Sequence, residues 1–74
     1  MIKVYSKENC SQCVATIKYL ERAGIDFIVY KVDEDENALA FVKDLGYQSL
    51  PVVFVEENKH WSGFRPDKIA GLKP

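Results

Sequence analysis

The 74-residue chain is predicted to form an α/β fold: a four-stranded mixed sheet with helices on both faces, in the order β-α-β-α-β-β-α. Three observations point there. Short β-rich runs, "IKVY", "DFIVYKV" and "PVVFV", alternate with stretches whose apolar residues recur at helical spacing. The first two helical stretches each open on a capping pattern and stop at a glycine. The third β-rich run is followed by a polar turn and one more short run, as in a hairpin.

Taken in order, "IKVY" is the first strand, bounded by the polar "SKEN". The first helix places Cys10, Cys13, Val14, Ile17 and Leu20 on one side, opposite Lys18, Glu21 and Arg22. Asn9 is the expected cap, with Gln12 in the capping-box position, and Gly24 the expected stop. "DFIVYKV" is mostly apolar, as suits a strand in a covered parallel pair. Asp33 and Glu36 form the next expected capping box, ahead of a stripe of Ala38, Phe41, Val42 and Leu45 that ends at Gly46. "PVVFV" is the third strand, "EENK" the turn, and "HWS" a fourth strand paired as a hairpin. "RPDKIAGLK" opens on a proline suited to the first turn of a short last helix. Two strands joined by a helix run parallel, and the hairpin adds an antiparallel pair. That combination is a thioredoxin-like architecture.

At this length residues 1–74 are expected to form one domain, burying roughly 60% of the unfolded surface, so its core is thin. Ten basic and eleven acidic residues spread evenly give a net charge of −1. No basic stripe suggests nucleic acid and no basic amphipathic helix suggests a membrane surface. The N-terminus turns polar too soon for a signal peptide. "PVVFV" is far shorter than the ~20 apolar residues of a membrane span. A cytoplasmic monomer is therefore expected, in a compartment where a stable structural disulfide is unusual.

That matters because the two cysteines stand as C-S-Q-C at positions 10–13. A bridge across two residues closes a tiny loop and removes little unfolded-state entropy, so it is a poor staple. Redox chemistry is the preferred assignment because the pair follows a strand and opens a helix within a β-α-β unit. With Cys10 at the helix mouth, unpaired backbone N–H groups and the helix dipole favour a thiolate there by ~0.3–1 kcal/mol, up to ~2 when partly buried. Lys7 is a candidate aid; Ser11 and Gln12 add no charge. A stabilised thiolate departs faster when the bridge is reduced. Cys10 is thus the candidate nucleophile, and Cys13, one turn inside, the candidate resolving thiol. Two other assignments stay open. A metal site needs about four ligands, whereas the chain supplies two cysteines and one histidine, His60. Free cysteine also packs as a small hydrophobe, which suits Cys13 better than Cys10.

"VYSKENCSQC" (4–13), "LGYQSLPVV" (45–53) and "HWSGFRPDKI" (60–69) together resemble the NrdH-redoxins, a group in the glutaredoxin branch of the thioredoxin superfamily. The likeness runs over almost the whole chain, and the Trp61–Pro66 run is its most specific part. Glu8 stands where members often carry proline, and Ser11 where they often carry valine; such changes bear on redox potential and leave the mechanism intact.

The resemblance implies a glutaredoxin-type fold and a dithiol–disulfide carrier with no bound cofactor. Such a carrier receives electrons from NADPH through thioredoxin reductase and passes them to the large subunit of a class Ib ribonucleotide reductase. It implies a cis Leu50–Pro51 bond whose backbone pairs with a client's cysteine-bearing segment; otherwise Pro51 is simply a strand start. It also implies that Trp61, Ser62, Gly63, Phe64, Arg65 and Pro66 replace the glutathione-holding loop of glutaredoxins and supply docking surface. The plainer account makes Trp61 and Phe64 core aromatics, Gly63 a turn and Pro66 a helix start. His60 is expected on the strand surface and Asp33–Glu36 on a solvated helix start. The competing functions are a glutathione-dependent glutaredoxin and a non-catalytic metal module, binding zinc or an iron–sulfur cluster. Against the former, Ser11–Gln12 is not the proline-tyrosine pair common in dithiol glutaredoxins.

Overall fold

The computed structural model describes residues 1–72. Along them run β1 (Ile2–Ser6), α1 (Ser11–Arg22), β2 (Phe27–Lys31), α2 (Glu36–Asp44), β3 (Val52–Glu56), β4 (Lys59–Ser62) and α3 (Pro66–Ala70). The sheet order is β2-β1-β3-β4. β1 and β2 are parallel, while β3 is antiparallel to both β1 and β4. This is the expected element order and the expected mixed sheet. Lys73, placed in the last helix by its sequence, lies outside the described residues.

Side chains alternate across a strand, so β1 feeds two cores. Val4 faces one side, where it is buried with Leu20, Ile25, Val53, Trp61 and Ile69 beneath α1 and α3. Tyr5 faces the other, buried with Val32, Ala38, Val42 and Val52 against α2. The register sets this up: Val4 lies opposite Val53, Tyr5 opposite Val52, and Val53 opposite Trp61. Each fully buried Leu, Ile or Val contributes ~1.5–3 kcal/mol, so a thin core depends on every one of them. Aromatic pairing strengthens the α2 side. Tyr5 stacks on Tyr30 at 5.3 Å and on Phe41 at 5.2 Å, and Phe41 meets Phe54 edge-on at 5.1 Å. Burial, reinforced by Tyr30 and Asp35, pushes the Tyr5 hydroxyl above the usual tyrosine range. On the α1 side the buried Trp61 Nε1 has no partner among the described residues, a cost of ~1–3 kcal/mol set against the burial of its ring.

Several local expectations are corrected. Asn9 does not cap α1: it sits at φ 55°, a left-handed turn that asparagine tolerates, and the cap is Cys10 in extended conformation. Asp33 does not cap α2 either. Its carboxylate accepts from the Glu8 N–H at 3.2 Å, and Asp35 is the cap, its Oδ1 accepting from Asn37 N at 2.9 Å and Ala38 N at 3.2 Å. Val14, expected on the buried stripe, is 51% exposed. β2 is not covered on both faces. It is an edge strand with a neighbour on one side only, and Ile28 and Val29 remain exposed. His60 is half-buried rather than on the surface: its ring stacks on Phe54 and its Nδ1 shares a 2.6 Å hydrogen bond with the Tyr47 hydroxyl.

Candidate active site

The end of β1 delivers the chain to the mouth of α1. Lys7 and Glu8 turn outward, Asn9 reverses the backbone through its positive φ, and Cys10 enters the cap position at φ −118°, ψ 100°. That conformation aims the cap side chain at the first turn, where backbone N–H groups lack helical partners. Cys10 Sγ accepts from the Cys13 N–H at 3.2 Å. The helix thus begins with a sulfur where most helices place an oxygen.

Cys10 and Cys13 form a disulfide, with Cα atoms 5.2 Å apart. Their surroundings differ. Cys10 is partly exposed, whereas Cys13 is 2% exposed and packed one turn inside the helix. A partner's sulfur can reach the first and is kept from the second. The exposed Lys7 lines a groove of about 700 Å³ that also contains Cys10, Ser6, Val14, Ile17 and Val29. Ser11, exposed, is the first helical residue.

From the other side the site is closed by the segment before β3. Leu50–Pro51 is a cis peptide, and the Leu50 carbonyl oxygen lies 3.9 Å from Cys10 Sγ. Pro51 is buried, and its carbonyl accepts from Gly63 N at 2.8 Å.

The run after β4 has a more divided role than its sequence implies. Trp61 is a core residue at 5% exposure, and Pro66 is the first residue of α3. Ser62 donates from Oγ to the Ser49 carbonyl at 2.8 Å. Gly63 turns at φ 89°, where an L side chain is strained, and a Cβ there would lie in contact with Gln12 Oε1 at 3.4 Å. Phe64 is half-buried against the core and tilts onto Tyr19 at 6.1 Å. Arg65 precedes α3 with no side-chain cap and pairs with Asp67 at 3.0 Å; the guanidinium holds the Asp67 carboxyl below its usual range. In this run Arg65 and Pro66 are exposed, Ser62, Gly63 and Phe64 are half-buried, and Trp61 is core.

Gln12 carries a role its lack of charge does not advertise. Its side-chain Oε1 accepts from the Phe64 N–H at 3.1 Å, tying the residue between the cysteines to a loop 52 positions away. Behind it, the buried Thr16 donates to the Gln12 carbonyl at 2.8 Å. Ser49 and Thr16 carry no motif, so neither was a candidate. Among the described residues no group of three or more His, Cys, Asp or Glu side chains is placed to hold a metal ion.

Comparison with known proteins places this arrangement. The glutaredoxin family model matches residues 2–61. The glutaredoxin-like protein NrdH of Escherichia coli K12 is 40% identical over 73 residues, covering 99% of this chain and 89% of its own. The protein of the same description from Lactococcus lactis subsp. cremoris is 36% identical over 72 residues, covering 97% and 99%. The solved structure of E. coli NrdH-redoxin, a glutaredoxin-like protein with a thioredoxin-like activity profile, superimposes with a TM-score of 0.91 over 99% of this chain and 95% of its own. With its C-x-x-C disulfide, this chain is a thiol–disulfide oxidoreductase, a glutaredoxin-like redox carrier. It belongs to the glutaredoxin family and, within it, to the NrdH-redoxins.

Proposed function

We propose that the chain carries electron pairs from NADPH, through thioredoxin reductase, to the large subunit of a class Ib ribonucleotide reductase in the cytoplasm. In the reduced carrier the Cys10 thiolate attacks one sulfur of a client disulfide, forming a mixed disulfide and expelling the other client sulfur as a thiolate. Cys13, deprotonated, then attacks Cys10 Sγ and expels the second client thiolate. The client gains two electrons and, after protonation, two thiols, while the carrier is left with its Cys10–Cys13 bridge. A hydride from NADPH and a proton, relayed through the reductase's own dithiol, restore both thiols.

The chain's own groups fit these steps. The Cys13 N–H donates to Cys10 Sγ, and a sulfur carrying full negative charge accepts that bond more strongly, which favours Cys10 as attacker and as leaving group. The burial of Cys13 delays resolution until the mixed disulfide has formed. The N–H of Leu50 makes no hydrogen bond among the described residues, and its C=O faces the sulfur. An extended client segment can pair there as a short added strand, presenting its cysteine to Cys10.

The observation that carries the choice of partner is the clamp on the Trp61–Pro66 run. Gln12 and Pro51 hold its backbone beside the disulfide, leaving Phe64 and Arg65 to face a docking protein. A second assignment, glutathione-dependent glutaredoxin, is favoured by the family match over residues 2–61, which stops as that run begins. A coupled NADPH-oxidation assay with two reducing systems separates them. Recycling by thioredoxin reductase, and not by glutathione with glutathione reductase, is the expected outcome; the reverse pattern defeats the proposal.

A further inference from the structure

A groove of about 590 Å³ runs along the outer side of α1, lined by Ala15, Lys18, Tyr19, Arg22, Ala23 and Phe64. Its floor is apolar and its rim is cationic. Lys18 and Arg22 stand one turn apart on the same helix face and are exposed, and among the described residues neither has a carboxylate within ion-pair distance. Among the described residues only Lys31 and Arg65 have an ion-pair partner, Glu8 and Asp67, so what sets Lys18 and Arg22 apart is their place together on one apolar groove. No acidic residue lines the groove, in a chain whose net charge is −1. Its far wall is Phe64, whose position is set by the tilted contact with Tyr19 and by the bond from its N–H to Gln12. Lys18 and Arg22 lie about 10 and 16 Å along the axis from the helix start, so an occupant leaves the disulfide free for exchange.

We infer that this groove is a second docking site, which seats an acidic segment of a protein partner bearing one large apolar side chain. The apolar group lies against Tyr19 and Phe64, and flanking carboxylates face Lys18 and Arg22. Charge complementarity selects this occupant: a basic or neutral apolar segment would leave two cations uncompensated at the rim. The inference rests on the reading of the chain as a carrier for protein clients and adds the chemistry by which such a client is chosen.

The test needs no electron source, so its failure is distinct from failure of the proposed electron path. The oxidised protein, isotopically labelled, is titrated with the blocked pentapeptide Asp-Glu-Phe-Glu-Asp while amide shifts are followed. The expected result is a saturable shift of Ala15, Tyr19, Ala23 and Phe64 in the millimolar range, weakened at least about fivefold between roughly 50 and 500 mM salt. The Lys18→Glu/Arg22→Glu variant should weaken binding about tenfold or more, and Lys18→Arg should retain it. Both changes are on exposed positions, and a thermal melt confirms the fold of each. Four results would overturn the inference: no saturable shift up to about 5 mM peptide, shifts centred around Leu50 instead, equal binding by the charge-reversal variant, or equal binding of the Lys-Arg-Phe-Arg-Lys peptide.

Discussion

α1 and α2 begin in nearly the same way and to different ends. Both are entered from an extended residue, Cys10 at φ −118°, ψ 100° and Asp35 at φ −136°, ψ 106°. In both, the cap side chain reaches the third helical N–H at 3.2 Å. Asp35 also takes the second N–H at 2.9 Å, and it sets a carboxylate at the positive end of a dipole. Cys10 offers one sulfur, a weak acceptor when bonded or protonated and a strong one as thiolate. Equivalent geometry thus gives a stabilising start in one helix and a switchable one in the other. The active-site helix gives up capping strength while Cys10 is bonded and recovers it whenever Cys10 is a thiolate, attacking or leaving.

The sharpest test of that contrast is at the sulfurs. Cys10→Ser should lower turnover by on the order of a thousandfold or more, while Cys13→Ser should trap a mixed disulfide with a protein client, visible on non-reducing gels. Equal residual activity in the two variants would remove the division of roles. Next comes stability. Asp35→Ala should cost about 1 kcal/mol in urea unfolding and leave turnover intact. Comparing Cys13→Ala with Cys10→Ala/Cys13→Ala, the loss of the sulfur cap should cost less than half of that. Equal costs would mean the two caps are energetically alike.

A smaller effect is expected at Gln12. Gln12→Ala removes the acceptor of the Phe64 N–H, a bond worth ~0.5–1.5 kcal/mol, so KM for thioredoxin reductase should rise about two- to twelvefold with kcat little changed. An unchanged KM would detach the clamp from partner recognition. The least effect belongs to the third helix, whose cap residue Arg65 makes no capping bond. The Arg65 hydrogen bond holds the Asp67 carboxyl below the usual aspartate range, so its contribution is present above that range and fades as pH falls through the lowered value. Thermal melts of Asp67→Asn should therefore fall slightly below the parent near neutrality and converge with it in strong acid. A gap that widens on acidification would reverse that sign.

The sequence made the order of elements legible because each has its own periodicity: Leu20 and Ile17 at helical spacing from Cys13, Val52 and Val53 on opposite faces of one strand. The capping signals were displaced by one residue at α1 and two at α2. Asn9 and Asp33 belong to the residue types that favour caps and turns alike, and only the backbone turn decides which role each takes. The exposure of Val14, and of Ile28 and Val29, depends on which strand ends at the sheet rim, which local pattern does not encode. The cysteines were legible from spacing and context. The ties from Ser62 to Ser49, Gly63 to Pro51 and Gln12 to Phe64 were not, since they join ordinary residues far apart in the chain. For Trp61 to Pro66 the sequence left docking surface and plain structural roles side by side, and the burial of Trp61 and the Pro66 helix start match the plainer account.

The unflanked β2 rim has a bearing on how the molecule behaves when crowded. Five residues with apolar side chains showing on both faces offer an open row of amide groups to another copy's sheet, the usual beginning of fibrous precipitation. Brevity and the charge of Lys31, steadied by Glu8, are the gatekeepers there. One lysine at the margin, Lys31, thus stands between this open rim and a second copy's sheet.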